Sequence, residues 1–139
     1  MIGQRKPKQP KRIPAKNRRL VEVRSGGVCE SCGDRPASDI HHRQYLSRGG
    51  VHDVHNLIHL CGFGNTSLCH GRAHTNGWQE GLSIGRGYRS ELIPVLYRGV
   101  WVLPDDDGGL QRINESTAEF LMSGRRGDGE EGYETVRED

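Results

Sequence analysis

No run in this sequence approaches the length of a membrane span, and its N-terminus lacks the apolar core of a secretory signal. Heptads, internal repeats and a Gly-rich nucleotide loop are missing too, so nothing points to a coiled coil, a repeat array or a nucleotide-binding fold. These absences lead to the expectation of a cytoplasmic protein with no membrane contact. Acidic residues are missing from positions 1–19, which carry eight Lys or Arg and prolines at 7, 10 and 14. Cysteine is scarce, with four in 139 residues. In a reducing compartment four cysteines read as metal ligands rather than disulfides.

What is present is concentrated. All four cysteines and all seven histidines fall between Cys29 and His74. The net charge of +2 hides a second asymmetry, because residues 105–139 hold eleven Asp or Glu against four Arg and many glycines. A basic arm at one end and an acidic tail at the other is a pattern of nucleic-acid binders. Both ends bury too little apolar area to offset chain entropy. The expected organisation is therefore a disordered basic arm at 1–19, one small domain at 20–80, a hairpin extension at 81–104 and an acidic Gly-rich tail at 105–139. A core this short benefits from a structural metal.

Residues 15–25 read as a short basic helix, started by Pro14 and stopped by Gly26-Gly27, with Leu20, Val23 and the stem of Arg24 turned inward. Residues 40–46 and 57–60 read as strands, with a flexible loop at Arg48-Gly49-Gly50 between them. A helix capped by Thr66 or Ser67 and ended at Asn76-Gly77 follows, which makes a ββα arrangement. Residues 91–97 and 100–103 suggest a hairpin turning at Arg98-Gly99, with Pro94 placing its first strand at an edge. The expected class is α+β, a small ββα core with zinc knuckles, a preceding helix, a C-terminal hairpin and disordered tails.

Two metal sites follow from the ligand types. Cys29, Cys32, Cys61 and Cys69 can close a tetrahedral zinc site that leaves no position for water, and such a site is structural. The seven residues between Cys61 and Cys69 depart from the usual two, but the insert is turn-like and can loop out. His70 and His74 project from one face of a helix and can share an ion. His41 and His42 are adjacent on a strand and point to opposite sides, so one holds the metal while the other reaches the substrate. Three imidazoles with open positions make a catalytic site. Asn56 can hydrogen-bond either the backbone or the base histidine. His52, His55 and His59 read as solvated side chains without a site role, His59 with the alternative of facing DNA from its strand.

The segments Cys29-Glu30-Ser31-Cys32, Ile40-His41-His42-Arg43, Asn56-Leu57-x-x-Leu60-Cys61 and Cys69-His70-Gly71-Arg72-Ala73-His74 together resemble the HNH endonuclease family, a ββα-metal (His-Me finger) fold. The resemblance covers about residues 18–78. With Pro94-Val95-Leu96 and the run from Trp101 to Gly108, the chain is also similar to small HNH proteins encoded by actinobacterial phages. The resemblance implies His42 as the general base, Asn56 as its support, and His41, His70 and His74 as ligands of a catalytic divalent ion (Mg, Mn, Ni or Zn). It implies Cys29, Cys32, Cys61 and Cys69 as holders of structural zinc.

The implied reaction is hydrolysis of a DNA phosphodiester, by nicking or double-strand cleavage, leaving a 5′-phosphate and a 3′-hydroxyl. Arg18, Arg19, Arg43, Arg48 and Arg72 are the expected phosphate contacts, giving affinity without sequence information. For a phage protein the location would be the host cytoplasm, with a terminase or another packaging protein as partner. The competing expectation is a zinc module that binds nucleic acid without cutting it.

Overall fold

The structure, a computed structural model, describes residues 9–63 and 67–124. Positions 1–8 of the arm, the cap candidate Thr66 and the tail from 125 onward lie outside the described residues. The fold is α+β, with three α-helices and two small antiparallel sheets among the described residues. None of these helices is long and apolar enough to cross a membrane.

Helix α1 spans Ala15–Ser25, entered from Pro14 and stopped by Gly26 in the left-handed region (φ 65°). Its inward face is not the expected one. Val21 is fully buried with Leu20 beside it, whereas Val23 is 78% exposed. Arg24 enters the interior with its charge as well as its stem. Its guanidinium makes a bidentate pair with the fully buried Glu30 (2.7 and 2.9 Å) and donates to Leu57 O (2.7 Å). Glu30 also accepts from the amide of His59, so this ion pair fastens α1 to the cysteine knuckle and to the strand that follows.

Strand β1 (Asp39–His42) pairs antiparallel with β2 (Leu57–Leu60), placing His41 opposite Ile58 and His42 opposite Leu57. β1 is shorter than residues 40–46 suggested, because Asn56 takes over where the ladder stops. Its Oδ1 accepts from the amide of Gln44 (2.8 Å), and its Nδ2 donates to the carbonyls of Gln44 and Val51 (3.0 and 2.8 Å). The intervening loop is packed rather than loose. A Cβ on Gly50 would lie 1.9 Å from Gln44 O, so this position accepts glycine alone.

Helix α2 (Leu68–Asn76) follows, with Ser67 at its N-cap. The Ser67 side chain makes no capping bond there; its Oγ instead accepts from the amide of Phe63 (3.1 Å).

The hairpin gains a third strand. β3 (Val95–Tyr97), β4 (Val100–Pro104) and β5 (Leu110–Arg112) lie in that order, and Arg98 and Gly99 both take positive φ, as a two-residue hairpin turn requires. Part of the expected acidic tail is therefore folded. Asp105 Oδ1 accepts from the amides of Asp107 and Gly109, forming the turn into β5, and Asn114 caps helix α3 (Glu115–Met122) through Thr117 N (2.8 Å). Asp105 and Asn114, counted with the acidic tail, organise backbone instead.

Among the described residues the core is two modest clusters. One gathers Cys29, Cys61 and Cys69 with Ile58, Leu60, Leu82, Val95 and Val102, and the other holds Val21, Val54 and Leu57.

Candidate metal centres

The knuckle 29–32, the residue after β2 and the first turn of α2 bring Cys29, Cys32, Cys61 and Cys69 together, their sulfurs all within 4.8 Å of one another. Cys32 Sγ and Cys61 Sγ are 4.0 Å apart. Zinc–sulfur bonds of about 2.3 Å give a tetrahedral edge of about 3.8 Å. The set is compatible with structural zinc, and the long Cys61–Cys69 insert does not displace either sulfur from it.

Burial pushes the Cys69 thiol up to about 12 and raises that of Cys61. For Cys32 burial acts the same way, but the amide of Asp34 and further donors outweigh it and bring the thiol down to about 7. A dication would offset the cost of burying thiolates and release their protons. Two cations attend the cluster. Arg72 donates to Cys69 Sγ (3.6 Å), and Arg35 faces Cys61 and Cys32 from the surface.

The second cluster is imidazole. β1 supplies His41, and α2 supplies His70 and His74, one donor atom of each lying within 4.8 Å of the others. His70 Nε2 and His74 Nε2 are 3.2 Å apart, close to the edge of about 3.3–3.4 Å expected for nitrogen ligands at 2.0–2.1 Å around one zinc-sized ion. Each ring has its remaining nitrogen engaged. Leu82 O accepts from His41 Nε2 (2.7 Å), which places the His41 lone pair on Nδ1. The Asp39 carboxylate meets His70 Nδ1 at 3.1 Å and the Tyr45 hydroxyl meets His74 Nδ1 at 2.5 Å. Outer partners of this kind fix ring orientation and raise ligand basicity. Burial lowers His41 to about 3 and also lowers His74, so both stay neutral, the form that binds metal. Because Cys69 and His70 are consecutive, α2 ties the two clusters rigidly together.

No family model, curated protein or solved structure matches this chain.

The expected site residues divide. His42 is not in the imidazole cluster. It turns to the other face of β1, where its Nε2 lies 3.1 Å from His52 Nδ1. Burial and the His52 ring lower its pKa. Of the two readings for Asn56, the structure has the backbone one, in which it clamps the loop and does not touch His42.

The arginines split as well. Arg43, expected at phosphate, is fully buried. Its guanidinium donates to the carbonyls of Gly81, His55, Ile93 and Pro94, so it joins the ββ unit to the C-terminal extension. Burial lowers its pKa only to about 9, so it remains a cation at neutral pH. Arg72 is engaged with Ser31 and Glu80 as well as Cys69. Arg48 stacks on the Tyr45 ring at 4.3 Å, beside the imidazole cluster. Arg18 and Arg19 are exposed, and Arg18 borders a groove with Lys11, Arg12, His42 and His52.

The histidines expected in solvent are buried. His52 is 4%, His55 6% and His59 9% exposed. His59 Nδ1 pairs with Ser25 Oγ (2.8 Å), so this ring is a link to α1. His55 bridges Asp106 and Ser90, linking the turn before β2 to the C-terminal unit. Asp39 and Tyr45 were missed as partners of the cluster. The period-two spacing of Asp39 and His41 on one strand carried a signal for the first; Tyr45 follows the strand and carried none.

Proposed function

We propose that this protein is a metal-dependent endonuclease of the HNH type, with a ββα-metal core, that hydrolyses DNA phosphodiester bonds. The observation that carries the reading is the convergence of His41, His70 and His74, each with its second nitrogen held by Leu82 O, Asp39 or Tyr45. An imidazole set of three leaves open positions on an ion, unlike the four sulfurs beside it. A divalent ion bound there supplies Lewis acidity to a phosphate oxygen and offsets charge on the leaving 3′-oxygen. His42, held neutral by burial, takes the proton of the attacking water. Lys11, Arg12, Arg18 and Arg48 attract the backbone, and no reader of base edges is evident among them.

One observation favours a second reading, a zinc module that binds nucleic acid without cutting it: His42 and the imidazole cluster occupy opposite faces of β1. Cleavage of supercoiled plasmid separates the two. Metal-stripped protein is supplied with magnesium, manganese, nickel or zinc, with His42→Ala alongside and zinc content measured on the same samples. Metal-dependent nicking or linearisation, reduced about 100- to 10,000-fold in the variant, is expected of the nuclease. Tight zinc and DNA binding without cleavage would establish the module.

A further inference from the structure

The segment before α1 is tied to the ring of His42 through a single side chain. His52 Nε2 lies 2.6 Å from the carbonyl oxygen of Pro10, and His52 Nδ1 lies 3.1 Å from His42 Nε2. The backbone of His52 is held from two sides, its amide donating to Gln9 Oε1 (2.9 Å) and its carbonyl accepting from Asn17 Nδ2 (2.9 Å). Gln9 also donates to Gly50 O (3.1 Å). With His52 only 4% exposed, this ring has little freedom to flip.

The proton positions follow from hydrogen-bonding capacity. A carbonyl oxygen only accepts, so His52 Nε2 carries a hydrogen. In the neutral ring the lone pair is then on Nδ1, which must accept from its neighbour. His42 Nε2 is therefore the donor, and the lone pair of neutral His42 falls on Nδ1. That nitrogen has no hydrogen-bond partner among the described residues, and the His42 ring borders the groove of Lys11, Arg12 and Arg18. One backbone carbonyl thus sets two tautomers in sequence.

We propose that His52 is a positioning residue for His42: pinned by the Pro10 carbonyl, it fixes the Nε2–H tautomer and presents the Nδ1 lone pair to the polyanion groove. This rests on the nuclease reading for its catalytic meaning, though not for its geometry. The chain leading into α1 then acts as part of the site. A base held in the wrong tautomer has its lone pair turned away from the water, and outer partners of this kind are worth about 10- to 100-fold in activity.

The test uses the full zinc-loaded protein at about pH 8, where histidine is ordinarily neutral, with His52→Leu and His52→Asn. Leucine removes the acceptor. Asparagine returns one, because its Oδ1 occupies the place of Nδ1. Two readouts are taken, the long-range proton–nitrogen NMR spectrum of the His42 ring and the steady-state kinetics of plasmid cleavage. The wild type is expected to show His42 protonated on Nε2. His52→Leu should lose that single tautomer and lower kcat about 10- to 100-fold with KM little changed. His52→Asn should restore both. A His42 tautomer unchanged in His52→Leu overturns the proposal whatever the cleavage result. So does an unchanged kcat beside a changed tautomer. A wild type that never cleaves, with the tautomer shift still present, overturns the nuclease reading and leaves the positioning geometry standing. Should His52→Leu fail to fold, the His52→Asn spectrum decides alone: a His42 proton moved to Nδ1 there overturns the proposal, and a retained Nε2–H supports it.

Discussion

The sulfur cluster and the imidazole cluster meet at consecutive residues of one helix, Cys69 and His70, yet they are surrounded in opposite ways. The sulfur cluster belongs to the hydrophobic core, packed with Ile58, Leu60, Leu82 and Val95, and hydrogen bonds reach its sulfurs from the backbone and from Arg72. The imidazoles are gripped from behind by Leu82 O, Asp39 and Tyr45, which aim the free nitrogens at a common point. One arrangement would make a bound metal part of the core. The other prepares a set of ligands whose holding does not depend on the metal, so the first should carry stability and the second chemistry.

The largest effect that would break this contrast is on the sulfur side. Structural zinc contributes on the order of 10–16 kcal/mol at neutral pH, more than a small domain's whole stability. Cys61→Ser should therefore abolish cooperative unfolding and lose zinc together, read by a thermal melt and metal analysis on one sample. A folded, zinc-free Cys61→Ser protein would remove the structural assignment. On the imidazole side, His74→Ala should leave the melt and the sulfur-bound zinc in place and lower metal-dependent cleavage by about 100-fold or more, the order expected when a Lewis acid is lost. If His74→Ala unfolded as Cys61→Ser does, the division of labour would be wrong.

A smaller effect tests the grip itself. Asp39→Asn keeps the size of the side chain and removes its charge behind His70. It should weaken the second ion about 10- to 100-fold, measured by titrating cleavage with manganese, while zinc at the sulfurs stays constant. Equal metal affinity in the two proteins would mean that Asp39 shapes the loop and not the ligand.

How much of this could be read from the chain depends on how local each cause is. Cys29-x-x-Cys32 and His70-x-x-x-His74 announce themselves because a turn and a helix fix their geometry within a few residues. α1 was legible through Pro14 and Gly26, and β2 as a short strand ending at Cys61. Arg43 was not. Its neighbours in sequence are histidines at a candidate site, but its partners are carbonyls 12 to 51 residues away. Nothing in a basic residue's position says whether it meets a phosphate or four backbone oxygens. Asp105 and Asp106 were misread for the complementary reason. Composition counts them as tail charge, whereas Asp105 builds a turn and Asp106 accepts from His55. Likewise His42 and His52 are ten residues apart and meet only because the loop between them is folded back by Asn56 and Gly50.

The smallest effect concerns acid. Burial lowers His41 to about 3, and lowers His42, His59 and His74 below the usual histidine range. The unfolded chain takes up these protons near pH 6.5, and the native state resists doing so. Below that pH the unfolded state binds more protons, so stability falls as the pH falls. For His41 the stability is fully present above about pH 6.5 and is lost progressively as the pH drops toward its folded value near 3. Thiolate protonation acts in the same direction at the sulfurs and has to be separated from it. His41→Gln does this, since glutamine can still donate to Leu82 O and cannot take the proton. Denaturant midpoints at about pH 7.5, 6 and 5 should converge between wild type and variant as the acid rises, the wild type losing more. Parallel lines would show that His41 is not held neutral. The acid sensitivity would then belong to the sulfurs and the other buried histidines.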